Sequence, residues 1–178
     1  MQCAKGLAAG ALAVAMVSSG AAPVRAQGAP IPSRIGGDKG WDAYSYTEKA
    51  GKVCYILGHP AKSEPENANR GRIDALVTHR PAEKAFFVVN FDVGYPFKPD
   101  SSAELEIDGK KFSLFTDKDT AWARDPATDK AVAEAMAKGK QAILKGGSAR
   151  GTNTTDTYSL EGFAQALAAI DKDCGVRR

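Results

Sequence analysis

The 178-residue sequence predicts a mainly β fold: an antiparallel β-sandwich with one short internal helix and a C-terminal helix. Three observations predict it. Short segments that alternate apolar with polar residues, or that are wholly apolar, recur between turn signals, as is typical of strands. One later segment begins with a capping residue followed by proline, as helices do. The last segment carries apolar residues at helical spacing.

The first 26 residues have the pattern of a secretory signal peptide. Lys5 precedes an apolar run over residues 7–17, and Val24 and Ala26 occupy the −3 and −1 positions of a cleavage site. The run is too short to span a bilayer, so we expect the segment to be cleaved, together with Cys3, from an exported protein.

Removal of the signal changes the charge of the protein. The signal holds two of the 24 basic residues and none of the 21 acidic ones, so the net charge of +3 falls to +1. This near-neutral balance argues against nucleic acid as the main partner. Residues 27–40 are rich in glycine, proline and serine and predict a flexible leader. Residues 41–178 are then expected to form a single domain.

Four strands are predicted in the first half of this domain. Residues 41–46 alternate aromatic or small residues with polar ones, and residues 53–57 form a short apolar run. Residues 73–78 and 86–93 are two further strand segments. Residues 58–69 contain two prolines and no strand pattern, so they predict a polar loop.

The central hairpin is the most specific local prediction. Asp108-Gly109 predicts a two-residue type I′ turn, in which facing residues have numbers that sum to 217. Leu105 then opposes Phe112 on one face and Glu106 opposes Lys111 on the other. The turn alone therefore pairs apolar with apolar residues and acid with base.

Two helices and two strands complete the domain. Asp125 is expected to cap the internal helix, with Pro126 in its first turn, and Gly139 to end it. Residues 141–145 and 154–158 predict strands. The last helix is expected after Ser159, up to about residue 171, and Cys174 continues its apolar stripe. That stripe consists of Leu160, Phe163, Leu167 and Ile170.

Two cysteines are left after signal cleavage, Cys54 on a predicted strand and Cys174 at the end of the predicted helix. In an oxidising compartment this pair of cysteines indicates a structural disulfide. In the chain-entropy model, such a bond stabilises the folded state by about 4–5 kcal/mol. Two free buried thiols are the alternative. A redox pair lacks the C-x-x-C motif, and a zinc site would have only His59 and His79 as additional histidine ligands.

Several segments give the chain a resemblance to a known family. They are KVCY at 52–55, ALVTHRP at 75–81, LEIDG at 105–109, LFTD at 114–117, DTAWA at 119–123 and YSLEGFAQAL at 158–167. With the early Trp41, they resemble the invasion-associated locus B family of exported alphaproteobacterial proteins. Many members have an additional cysteine pair after the central hairpin, whereas residues 115–122 contain no cysteine here. We expect packing of Trp122 to substitute for that bridge.

The resemblance implies a secreted, mostly β protein of the periplasm or outer-membrane surface. We expect a non-enzymatic envelope protein that contributes to envelope integrity or contacts a host surface, with an unknown envelope or host-surface component as partner. Peripheral membrane association is compatible with it. A periplasmic module that binds glycan or peptide is the alternative, and a periplasmic hydrolase is a third reading.

Candidate site residues come from three patterns. His79, at a strand end, is a candidate general base or binding residue, although a histidine satisfied by a backbone hydrogen bond is the simpler reading. Arg80 and Trp122 are further binding candidates, and Arg70, Arg72 and Arg80 are either an anion site or separate solvated side chains. The third pattern is a possible aromatic binding strip of Tyr44, Tyr46, Tyr95, Phe97 and Trp122, with core packing as its alternative.

Two other motifs lack residues that a ligand-binding site of their type requires. Asp117 and Asp119 lack the glycine and closing glutamate of a calcium loop. The glycine-rich residues 146–151 lack the lysine and the following helix of a phosphate-binding loop. No metal or cofactor is therefore expected.

Overall fold

The computed structural model describes residues 30–66 and 69–177, so the predicted signal peptide lies outside the described part of the chain. The elements in chain order are β1 (Ser33–Asp38), β2 (Trp41–Glu48), β3 (Gly51–Gly58), β4 (Lys62–Glu64), β5 (Asp74–Arg80), a 3₁₀ turn (Pro81–Glu83), β6 (Ala85–Asp92), β7 (Ser102–Ile107), β8 (Lys110–Asp117), β9 (Thr120–Trp122), α1 (Pro126–Lys138), β10 (Gln141–Gly147), β11 (Asn153–Ser159) and α2 (Phe163–Cys174).

The strands of the described region form one antiparallel sheet. Its order is β1-β2-β3-β5-β6-β9-β8-β7-β10-β11-β4. The two ends of this sheet pack face to face, because Tyr158 of β11 lies 6.3 Å from the Trp41 ring of β2 and 5.6 Å from the Phe91 ring of β6. The predicted class, a mainly β antiparallel fold with two helices, is confirmed. The two layers are halves of a single continuous sheet.

Both predicted helices are present. The Asp125 side chain accepts a hydrogen bond from the Thr128 N–H at 2.8 Å, and Pro126 begins α1. Gly139 ends α1 with an extended backbone, and a Cβ there would lie 2.8 Å from Ile107 Cγ2. In α2 the predicted stripe is buried: Phe163, Leu167 and Ile170 have no exposed surface. α2 begins at Phe163, after a left-handed Gly162, and Leu160 packs just before it.

The hairpin has the predicted register. Leu105 pairs with Phe112 and Glu106 with Lys111, and both turn residues have positive φ, 45° at Asp108 and 88° at Gly109. The ion pair differs from the prediction, because Lys111 Nζ lies 3.0 Å from the diagonal Glu104 rather than from the directly opposed Glu106. Diagonal neighbours on a sheet face are within reach of a lysine side chain.

Three strands lie where the sequence predicts none. β1 lies inside residues 27–40, which the sequence predicts as a flexible leader, and it pairs with β2 across a bulge between Arg34 and Gly36. Gly36 has no side chain, so α2 can approach: a Cβ there would lie 3.1 Å from Ala169 Cβ. β4 lies in the predicted polar loop, and β9 is three residues long. Such strands depend on their neighbours and have little pattern of their own.

Candidate functional site

The C-terminal helix is held against β3 by the predicted disulfide. Cys54 and Cys174 are bonded, with their Cα atoms 6.1 Å apart and a sequence separation of 120. Beside the bond, Lys52 Nζ lies 3.1 Å from Asp173 Oδ2. Burial alone would raise the pKa of Asp173, but hydrogen bonds from Lys52 and Ser45, with the charge of Lys52, lower it. The bridge and the ion pair therefore attach the same turn of α2 to the same strand.

His79 belongs to this attachment and is not accessible to a ligand. It is fully buried, and it pairs with Cys54 across β3 and β5. The Phe87 N–H donates to Nδ1 at 3.0 Å, so Nδ1 carries no proton and Nε2 donates to Asp171 Oδ1 at 2.9 Å. This is the backbone-satisfied histidine of the simpler reading, with an added carboxylate partner. Both ring nitrogens are occupied, so the geometry does not suit a general base.

The three arginines do not form an anion site, because each is paired with a different carboxylate. Arg70 makes two hydrogen bonds to Asp156, at 2.8 and 2.6 Å, in a pair that is almost fully buried. Arg72 contacts Asp74, and Arg80 contacts Glu48. Their positive charges are separately neutralised.

The described sheet carries a stripe of partly exposed apolar side chains on its outer face, which we define as the side opposite the helices. Strand pairing aligns Leu57, Leu76, Asn90, Trp122 and Phe115 in one row across β3, β5, β6, β9 and β8. At the spacing of neighbouring strands this row is about 19 Å long. Asn90 is buried, Phe115 is 38% exposed, and the other three are partly exposed.

A tyrosine cluster adjoins this stripe on β2 and β3. The Tyr44 and Tyr55 rings stack with centroids 5.3 Å apart, and Tyr46 meets Tyr55 edge-on at 6.2 Å. A shallow depression of about 590 Å³ lies beside Tyr46, Tyr55 and Leu76. Burial raises the pKa of the Tyr55 hydroxyl, and its tyrosine neighbours add to this, so this hydroxyl is uncharged at neutral pH.

The helices leave this face open because they pack on the other side. Cys54 and His79, which contact α2, alternate along their strands with Tyr55 and Thr78, which point outward. Successive residues of a strand point to opposite faces. The outer face therefore carries aromatic and aliphatic side chains that the helices do not cover.

Three of the five residues of the predicted aromatic strip share one face of the sheet. Tyr44, Tyr46 and Trp122 lie on the outer face, but Tyr95 and Phe97 are buried, with 9% and 6% exposure. The Tyr95 hydroxyl lies 2.6 Å from Thr154 Oγ1. Tyr95 and Phe97 therefore follow the alternative of core packing.

Four further outer-face residues are not predicted from the sequence. Tyr55, Leu57, Leu76 and Phe115 also lie there, and their alternation with buried residues along β3, β5 and β8 is the signal that could have found them.

The predicted binding residues His79, Arg80 and Trp122 do not meet. Arg80 pairs with Ala85 at the start of β6, and Trp122 pairs with Asn90 further along it. Five residues of strand separate the two positions by about 16 Å. Trp122 belongs to the apolar stripe, and Arg80 lies at the edge of the tyrosine cluster, where its guanidinium is 3.5 Å from the Tyr46 hydroxyl.

Within residues 30–66 and 69–177, no group of three or more His, Cys, Asp or Glu side chains is arranged to hold a metal ion. The helices of these same residues are too short or too polar to cross a membrane.

Comparison with known proteins gives two matches. Residues 41–171 match the family model described as "Invasion associated locus B (IalB) protein". The fold is similar to the crystal structure of invasion associated protein B from Bartonella henselae, with a TM-score of 0.54 and 18% sequence identity, over 82% of this chain and 99% of that chain. At this identity the structural match shows the fold alone. No curated protein sequence matches this chain.

Proposed function

The chain belongs to the invasion associated locus B family, and from this membership we propose that it is an exported, non-enzymatic protein of the cell envelope. Its place is the periplasm or the outer-membrane surface, where it contributes to envelope integrity or to contact with a host surface. The proposal of export is supported by the signal-like residues 1–26 and by a disulfide, which forms in oxidising compartments.

The observation that carries the proposal is the outer face of the sheet. Residues 44, 46, 55, 57, 76, 115 and 122 place aromatic and aliphatic side chains on one surface, and the helices pack on the other. Clusters of exposed aromatic and aliphatic side chains mark sites of interaction with other molecules. The partner is a component of the envelope or of a host surface. Nucleic acid does not suit an aromatic face whose arginines are paired with carboxylates.

A non-enzymatic role is favoured by His79. The one histidine that could have served as a general base is enclosed, with its Nδ1 and Nε2 bound to Phe87 and Asp171. His59, the other histidine, is exposed and lies 2.7 Å from Asp74 Oδ1.

Crosslinking in living cells tests this proposal. A photoreactive amino acid replaces Tyr44 or Phe115 on the outer face, or Gln165 on the exposed side of α2 as the matched control. We expect covalent adducts from the two outer-face positions and few from the control, in the periplasmic or outer-membrane fraction. Recovery in the cytosol with both thiols free would refute export. Equal adducts from all three positions would refute the role of the outer face.

A module that binds glycan or peptide is the second candidate, and the stacked Tyr44–Tyr55 pair favours it because aromatic rings offer flat apolar contact area with a polar edge. Titration of the purified protein with cell-wall oligosaccharides and with peptides distinguishes this reading. Saturable binding that a Tyr55→Ser variant loses supports it, and its absence from both ligand classes contradicts it.

A further inference from the structure

A second cleft lies away from the outer face. It forms where the start of β6, the first turns of α1 and the segment after α2 meet, and its volume is about 420 Å³. Its lining includes the apolar residues Phe86 and Val176 and the cationic residues Lys84, Lys130 and Arg177. Phe86 is 37% exposed, so part of its ring is accessible from the cleft.

The backbone of β6 is distorted to build this cleft. Phe87 has a φ of 56°, a left-handed conformation that is an outlier for a bulky side chain. As a result the rings of Phe86 and Phe87 lie 6.2 and 4.7 Å from the same His79 ring, whereas an ordinary strand would send them to opposite faces. The hydrogen bond from the Phe87 N–H to His79 Nδ1 holds this conformation. Such outliers cluster at ligand-binding sites.

The third wall of the cleft is the segment after α2, which follows directly on the disulfide at Cys174. The helix ends at Cys174, and Gly175 follows in a left-handed conformation with φ 67°. The Val176 N–H then donates to the Asp171 carbonyl at 2.8 Å, so the chain turns back toward β6. The bond to Cys54 therefore places Val176 and Arg177 at the cleft.

The charges around the cleft are predominantly positive. On α1, Asp129 also lines the cleft, but its carboxylate is mostly buried and its Oδ1 accepts the Val89 N–H at 2.7 Å. Glu134 is 3.9 Å from Lys130. In the described part of the chain, no carboxylate lies within ion-pair distance of Lys84 or Arg177.

The remaining acids near the cleft have other partners. Glu83, beside Lys84, lies 3.7 Å from Arg80, and Asp125 caps the helix. The cationic residues Lys84, Lys130 and Arg177 therefore suit an anion, and the apolar residues Phe86 and Val176 suit a hydrocarbon chain.

We infer that this cleft binds a free long-chain carboxylic acid, with the acyl chain on Phe86 and Val176 and the carboxylate between Lys84, Lys130 and Arg177. This combination of an apolar pocket and a few convergent cations is typical of sites for small amphiphilic ligands. The site is separate from the outer face and independent of the partner proposed for it.

Titration calorimetry with monomeric dodecanoate tests the inference. The mature protein is expected to bind one dodecanoate saturably. Phe86→Ala should weaken binding about tenfold, and Arg177→Glu about fivefold or more. The matched controls are Phe115→Ala, with nearly the same exposure, and Arg150→Glu, with the same change of charge elsewhere on the surface. Both controls should stay within about twofold of the wild type.

Other ligands and a folding check make the result decisive. Dodecanol, which has the same chain without the charge, should bind at least about fivefold more weakly. The circular dichroism spectrum and melting temperature of each variant identify any that misfold, and Lys84→Glu then replaces the variant that does. Absence of saturable binding overturns the inference, as do equal losses in variants and controls or equal affinity for dodecanol. Binding to anionic vesicles without binding of dodecanoate also overturns it, because it would assign the cations to a membrane surface.

Discussion

Removal of the Cys54–Cys174 bond is expected to destabilise the domain strongly without unfolding it. In the chain-entropy model, a bond that closes a loop of about 120 residues stabilises by about 5 kcal/mol at 25 °C, because it restricts the unfolded chain. A protein of this size loses about 2–4 °C of melting temperature per kcal/mol. The double variant Cys54→Ser/Cys174→Ser should therefore melt about 10–20 °C below the oxidised wild type.

The native contacts of α2 explain why the domain should still fold. Phe163, Leu167 and Ile170 stay buried without the disulfide, and the hydrogen bond between His79 and Asp171 does not depend on it. Hydrogen exchange should then show the largest loss of protection in α2, the element that the bond attaches to β3.

Thermal unfolding followed by circular dichroism, with and without reductant, provides the assay. The wild type should lose stability on reduction, whereas the double variant should not respond to the reductant. A melting temperature of the double variant within about 2 °C of the oxidised wild type would refute the argument, since it would mean that the chain ends are already close when unfolded.

Three further predictions concern buried polar groups. Arg70→Ala leaves the buried Asp156 carboxylate without its partner and should cost about 3–5 kcal/mol in urea unfolding, whereas Arg34→Ala, whose ion pair with Asp42 is exposed at both ends, should cost less than about 1 kcal/mol; similar costs would contradict the role of burial. His79→Ala deprives Asp171 and a backbone N–H of a buried partner and should cost about 3 kcal/mol or more, and a change below about 1 kcal/mol would show that the pair does not hold α2. Burial raises the pKa of Asp129 above 3.8, against the lowering effect of its backbone hydrogen bond, so the folded state holds this proton longer than the unfolded state. The contribution of protonated Asp129 to the free energy of unfolding is therefore present below pH 3.8 and is lost as pH rises through the folded pKa. Asp129→Asn should make the stability fall less across this pH range, and a similar fall in both proteins, in melting temperatures measured from pH 3 to pH 7, would contradict the prediction.

The candidate sites were less predictable than the elements that carry them. The sequence names Tyr44, Tyr46 and Trp122, but their membership of one face depends on pairings between strands that are distant in sequence. Tyr95 has the same residue type and is buried, because it packs against Arg70. The cleft beside Phe86 was not predictable at all, since it depends on a left-handed residue at position 87.

The hairpin, the capped helix and the amphipathic last helix follow from the sequence by itself, because each is specified by interactions within a few residues. Asp108-Gly109 sets a register, Asp125-Pro126 starts a helix, and the stripe of α2 gives Cys174 its direction. The family also follows from the sequence, through short segments spread over residues 41–171.

The tertiary structure alone decided the rest, because the remaining features depend on which distant segments meet. β1 is a strand since β2 offers it hydrogen bonds and α2 can approach Gly36. His79 is a structural residue and not a candidate base because its Nε2 is hydrogen-bonded to Asp171, which lies 92 positions away in the sequence. Arg70 and Arg80 pair with carboxylates 86 and 32 positions away, Asp156 and Glu48, and these pairings cannot be inferred from local spacing, whereas the Arg72–Asp74 pair is local.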